Sequence, residues 1–206
     1  MAINWTTLTA AKTTEGSIKN WVNRSDIPVT NILLEAEAWI YQTLRVREMV
    51  VDEAFTFDAS SSSEALPSGF LDPIQFVPYG WASPLDFWHE ANFRPNRSSA
   101  GVLDPAATPS KWTIVGETAH IDVLLSASFS GRLMYYDTPA ALGSGNETNF
   151  LTIRYPILLR SACMMRAYEH MKQTALATGY MQKAMADIVE ANANADMARR
   201  GQYVTA

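Results

Sequence analysis

The chain has 206 residues, a net charge of −5 and 48% hydrophobic residues, with under a fifth charged. That is a globular composition, long enough for one sizeable core or a core with an insertion, and it excludes a disordered chain. A single cysteine, Cys163, excludes an intrachain disulfide framework and a cysteine-cluster metal site.

The N-terminal "MAINWTTLTAAK" lacks the basic and apolar regions of a secretory signal, so synthesis in the cytoplasm is expected. No apolar run approaches the ~18 residues of a membrane span, so no membrane partner is expected. The stretch "LTAAKTTEGSIKNWVNRSD" places Leu8, Ala11, Ile18, Trp21 and Val22 at roughly helical spacing, interrupted by Gly16. Pro28 can open the next helix, with Asp26 or Thr30 as its N-cap. "VTNILLEAEAWIYQTLRVREM" is the strongest helical pattern: Ile32, Leu33, Ala36, Trp39, Ile40, Leu44, Val46 and Val50 share one arc, with Glu35, Tyr41, Gln42, Arg45 and Glu48 opposite.

Around Val50 the period changes towards a strand in "VVDEAFTFDAS", followed by a "SSSSEALPSG" loop. "FLDPIQFVPYG", "KWTIVGETAHIDVLL" and "FSGRLMYYDTP" read as strands, with Gly116-Glu117 as a hairpin turn. "SPLDFWHEANF" reads as a short helix capped by Ser83, and "RPNRSSAGVLDPAATPS" as a long loop. The chain is helical again from Tyr155. "PILLRSACMMRAYEHMK" is apolar around its circumference, as a central helix is, and the last helix carries a stripe of Met181, Met185, Ile188, Asn192 and Ala195.

The order α, then β, then α predicts an α+β fold. A four-helix-type bundle forms from residues 1–50 and 150–206, and a small antiparallel β module, 51–149, is inserted between its second and third helices. Charge follows the same division. Residues 1–50 balance, 51–150 hold twelve acids and four bases, and 151–206 hold seven bases and four acids. An acidic middle does not grip phosphates, which require a dense basic patch.

No nucleotide-binding, zinc-protease or nucleophile-elbow motif occurs. His120 and Asp122 share a strand face, and His89 and Glu90 are adjacent, but ordinary strand and surface packing accounts for both pairs. Cys163 and His170 lie two helical turns apart, too far for a nucleophile and its base. No catalytic, metal-binding or cofactor-binding residue is therefore expected. Trp81, Phe87, Trp88 and Phe93 stand in loop-like sequence and are candidate interface anchors. In "LRVREMVV", Arg45 reads as an outward cation at a helix C-terminus. Arg47 falls inside the apolar arc, where a guanidinium needs partners, and is a candidate joint between bundle and β module.

The order and spacing of "EAEAWIYQTLRVREM", "LPSGFLD", "KWTIVGETAHI" and "YYDTPAAL" followed by "NFLTIRYPILL" resemble the head-to-tail adaptor (connector) proteins of tailed bacteriophages. The resemblance implies a structural virion protein without catalytic activity, made in the host cytoplasm. It implies a homo-oligomeric ring, a dodecamer, between the portal protein and a tail or nozzle protein, with genome DNA passing through without specific binding. It also implies a C-terminal arm that docks the portal through Met197, Arg199, Arg200 and Tyr203. Alternative readings are another neck or tail-completion protein, or a small non-viral ligand-binding module or enzyme.

Overall fold

The structure, a computed structural model, describes residues 3–96, 103 and 107–199. The chain divides into two compact units, Met1–Met49 with Pro139–Ala206, and Val50–Thr138. The expected four-helix-type bundle with one small β module is not what forms. The described residues make six α-helices, and the strands make two sheets, of three and four strands.

The helical unit holds α1 (Trp5–Thr9), α2 (Ile18–Trp21), α3 (Val29–Thr43), α4 (Phe150–Arg154), α5 (Pro156–His170) and α6 (Thr174–Arg199). Two local features set helix boundaries in this unit. Gly16 adopts a positive φ of 87°, and Ser17 then caps α2 through Asn20 N. Pro156 cannot extend α4, so a new helix starts there with proline in its first turn. The α3 helix begins directly after Pro28, and neither Asp26 nor Thr30 caps it. Asp26 instead pairs with Arg24 at 2.6 Å, and that hydrogen bond holds its carboxyl down to about 2.

The unit closes around Glu37, only 1% exposed. Its Oε2 accepts from Leu142 N at 2.9 Å, and its Oε1 from Asn149 Nδ2 at 2.6 Å and Tyr41 Oη at 3.3 Å. Asn149 is also the N-cap of α4, in a capping box with Thr152. One carboxyl therefore ties α3 to a strand-free segment and to a helix start more than a hundred residues later. Burial raises the Glu37 carboxyl above its ordinary range, against hydrogen bonds that favour the charged form. Burial and the neighbouring Glu37 push the Tyr41 phenol up as well. Helical spacing had put Tyr41 on the polar side of α3, yet it is buried.

Two further ties complete the unit. Thr6 Oγ1 donates to Glu147 Oε1 at 2.8 Å, securing α1. Asn192 of α6 accepts from Arg45 N at 2.7 Å and donates to Thr43 O at 2.9 Å, securing the end of α3. The Arg45 guanidinium folds back onto the carbonyls of Tyr41 and Leu44, which the helix leaves without partners. At the centre, α5 buries residues around most of its circumference and packs on α2, α3, α4 and α6.

The β unit holds β1 (Val50–Phe57), β2 (Ser63–Ala65), β3 (Phe70–Pro78), β4 (Asp86–Phe87), β5 (Lys111–Val115), β6 (Thr118–Ile121) and β7 (Phe129–Asp137). The three-stranded sheet runs β1-β7-β3 and the four-stranded sheet β2-β6-β5-β4. Side chains from both sheets share one core, including Phe55, Phe57, Phe76, Trp112, Ile121 and Leu133. Its aromatics meet edge to face, Phe55 on Phe57 at 5.2 Å and Phe57 on Phe76 at 5.7 Å. Gly116, at φ 62°, makes the predicted turn between β5 and β6. Gly131 is glycine for another reason: a Cβ there would lie 2.5 Å from Val77 O and 2.8 Å from the Phe76 ring. The expected helix at "SPLDFWHEANF" is instead β4, paired parallel to β5, followed by a 3-10 turn at Glu90–Asn92.

Replacing Glu37 tests the closure of the helical unit. Glu37→Ala removes the acceptor of three donors, of which Leu142 N and Tyr41 Oη are buried, and should cost about 2–4 kcal/mol, read by urea unfolding. In the native protein the raised carboxyl keeps its proton over a pH window in which the unfolded chain has lost it. Stability should therefore fall as pH rises from the ordinary glutamate range through the folded value. Glu37→Gln should abolish this slope in melting curves taken across about pH 4 to 8.

Candidate functional site

The residues with chemical reach fall on exposed surface of each unit. In the β unit, Trp81, Phe87 and Trp88 are 39%, 48% and 38% exposed, and Phe93 is half-buried. Each of the first three has one face fixed and another free. Trp81 meets Phe129 edge to face at 6.1 Å, and Phe87 meets the buried Trp112 at 5.0 Å. Lys111 Nζ stands 4.8 Å above the Trp88 ring. Phe87 also lines a groove of about 620 Å³ with Leu66, Phe70, Pro73 and Ile114, bordered by Glu117. Rings held in this way lose little side-chain entropy on binding and suit anchoring roles.

At the C-terminus, Met197 is 36% exposed on the last turn of α6 and Arg199 ends that helix. The side chain of Arg199, and all of Arg200 and Tyr203, lie outside the described residues.

The buried, paired guanidinium expected at Arg47 does not form. Its side chain is 73% exposed and, among the described residues, its one ion pair is with the neighbouring Glu48, at 3.5 Å. Glu48 Oε1 takes a closer partner in Arg154, at 3.1 Å. The cause is the end of α3 at Thr43: Leu44 is extended, with ψ 131°, so the 100° step that aimed Arg47 inward no longer applies.

The titratable groups that sequence spacing brings together serve structure. Asp122 is fully buried and accepts from Ser110 N at 3.0 Å, Ser110 Oγ at 2.7 Å and Asn96 Nδ2 at 3.0 Å. His89 Nδ1 accepts from Ala91 N, starting the 3-10 turn. Among the described residues, no group of three or more His, Cys, Asp or Glu is placed to hold a metal ion. No helix of the described residues is long and apolar enough to cross a membrane.

Two apolar surfaces of the helical unit escaped the sequence reading. The expected stripe on α6 is only partly its buried face: Ile188 is buried and Asn192 and Ala195 are half-buried. Ala177, Ala184, Ile188 and Ala191 pack inward, leaving Met181 at 40% and Met185 at 38% exposure. Val189 beside them is 63% exposed. The second surface is a groove of about 660 Å³ lined by Ile3, Trp21, Ile153, Pro156, Ile157 and Arg160. Ile153 is 71% and Ile157 62% exposed, and the Arg160 guanidinium lies 5.0 Å from the Trp21 ring. Alternating exposure within an apolar pattern is the available signal, and it is lost where every neighbour is apolar too.

Fixed aromatics, an exposed apolar helix row and an apolar groove define a class: a protein whose chemistry is docking onto other proteins. The chain belongs to the SU10 adaptor protein family, whose family model matches residues 9–205. It is thereby a bacteriophage adaptor with a structural role, a virion component of a class that contacts portal and tail proteins. Curated proteins give no match.

Cys163 is fully buried in α5, and burial pushes its thiol far up. The folded protein should stay unlabelled by a thiol reagent at neutral pH and take up one equivalent in denaturant, as read by mass spectrometry. Stoichiometric labelling without denaturant would show that α5 is not packed as described.

Proposed function

We propose that this chain is the head-to-tail adaptor of its virion, forming a ring that joins the portal to the tail and lines the channel through which the genome leaves. The observation that carries this reading is the family match over residues 9–205. In this reading the helical unit is the body of the ring, a dodecamer, and the β unit reaches tail or nozzle protein through Trp81, Phe87, Trp88 and Phe93. The end of α6 and the residues after it, with Met197, Arg199, Arg200 and Tyr203, dock the portal.

Charge supports the passage of DNA without specific binding. Over Val50–Thr138 the sequence has eleven acids and four bases. A surface of that sign repels phosphates and leaves a duplex free to slide.

Quantifying the protein in purified virions tests the proposal. About one copy per portal subunit, or a small multiple, is expected, and absence from the particle overturns it. Removing residues 197–206 should leave thermal unfolding of the remaining chain nearly unchanged while portal binding is lost. Unchanged binding would remove the docking role from this segment.

A further inference from the structure

One buried acceptor of the helical unit has no donor. Asp187 Oδ2 is buried and makes no hydrogen bond among the described residues. Such an atom costs stability wherever it occurs, so its presence requires a reason. Two cations of the chain are neighbours. Lys183 is one turn earlier on α6, and Arg154 lines the same groove as Asp187. Among the described residues neither makes an ion pair with it, and Arg154 turns instead to Glu48 at 3.1 Å.

The groove holds about 330 Å³ and runs between α6 and the start of α5. Ile157, Leu158 and Ala191 give it apolar walls, and Asp187, Glu190 and Asn194 line it from α6. These three stand at i, i+3 and i+7, on the flank beside the buried Ala184, Ile188 and Ala191. Glu190 is exposed and, among the described residues, has no ion pair either. Apolar walls with carboxylates fit a long aliphatic stem that ends in a cation, as lysine and arginine have. Place points to the owner of that side chain. Asn194 stands five residues before Arg199, about 7.5 Å along the helix. The groove is therefore continuous with residues 197–206, proposed above to dock the portal.

We propose that this groove takes a lysine or arginine side chain of the portal protein, which donates to the buried Asp187 Oδ2 with Glu190 beside it. The proposal rests on the portal-docking reading above and names its chemistry. The free chain carries a carboxylate oxygen without a donor, and docking supplies one. An apolar surface alone fits many partners, whereas a buried carboxylate rejects any that bring no cation.

Asp187→Asn keeps the shape of the side chain and removes its charge. In the free full chain it should leave the melting temperature unchanged or raise it, because no partner within the chain is lost. A fall of more than about 2 °C would show that Arg154 or Lys183 pairs with Asp187, and would overturn the proposal. Against the portal protein, the same variant should bind at least about tenfold more weakly in calorimetric titration. Equal binding of variant and wild type overturns the cation seat and leaves portal docking standing. No binding by the wild type overturns both. Glu35→Gln, at an exposed position of α3, should bind as the wild type does; an equal loss there would trace the effect to overall charge and overturn the seat. So would a melting temperature that millimolar spermidine or magnesium chloride raises in the wild type and not in Asp187→Asn, since the groove would then belong to a free cation.

Discussion

A single buried carboxyl holds the helical unit together. The chain enters this unit twice, before Val50 and after Thr138, and Glu37 is where the two passes are fastened. Its three donors come from Tyr41 on its own helix and from Leu142 and Asn149 on the second pass. An insertion between two passes costs little in closure entropy, since each doubling of its length adds only about 0.6 kcal/mol. What must be supplied is a specific joint, and a hydrogen-bonded carboxyl in an apolar setting gives direction where Leu33, Ile40 and Leu158 give only contact. Thr6 on Glu147 and Asn192 on Thr43 also join the first pass to the second, at more exposed positions.

The β unit is held differently. Its core is a set of interleaved aromatics from two sheets, and among its polar ties is a buried aspartate, Asp122, on which Ser110 and Asn96 converge. Asn96, after the 3-10 turn, and Ser110, before β5, are thereby held by a single buried carboxylate. Rigid walls of this kind let Trp81, Phe87 and Trp88 sit partly in solvent without collapsing onto the sheet. For an adaptor protein the division is useful: one unit is fixed by directional bonds and the other displays fixed rings.

Local chemistry was legible in the sequence and nonlocal choice was not. The hairpin at Gly116, the helix-end role of Arg45, the central position of α5 and the buried state of Cys163 follow from spacing and residue type, and the structure has them. The family resemblance was carried by the order of motifs, and the family match covers them. Strands as short as β2 and β4 have no periodicity to read, and their partners β6 and β5 lie far along the chain. Division into two sheets was therefore invisible. Arg47 failed because one extended residue after Thr43 resets the helical count. The α6 stripe was right at Ile188 and wrong at Met181 and Met185, because hydrophobicity favours methionine, whereas close approach to α5 favours the small Ala177, Ala184 and Ala191.

The two-pass helical unit also sets an order of events at the ribosome. Leu142 follows Glu37 by 105 residues, which takes about 5–20 s to synthesise. Through that interval the first pass has its apolar arc and its carboxyl but no partner for either. The whole β unit, being contiguous in sequence, emerges and can fold first. The nascent chain thus presents a finished β unit flanked by an unfinished helix, and the body of the molecule is completed only when its last helix leaves the tunnel.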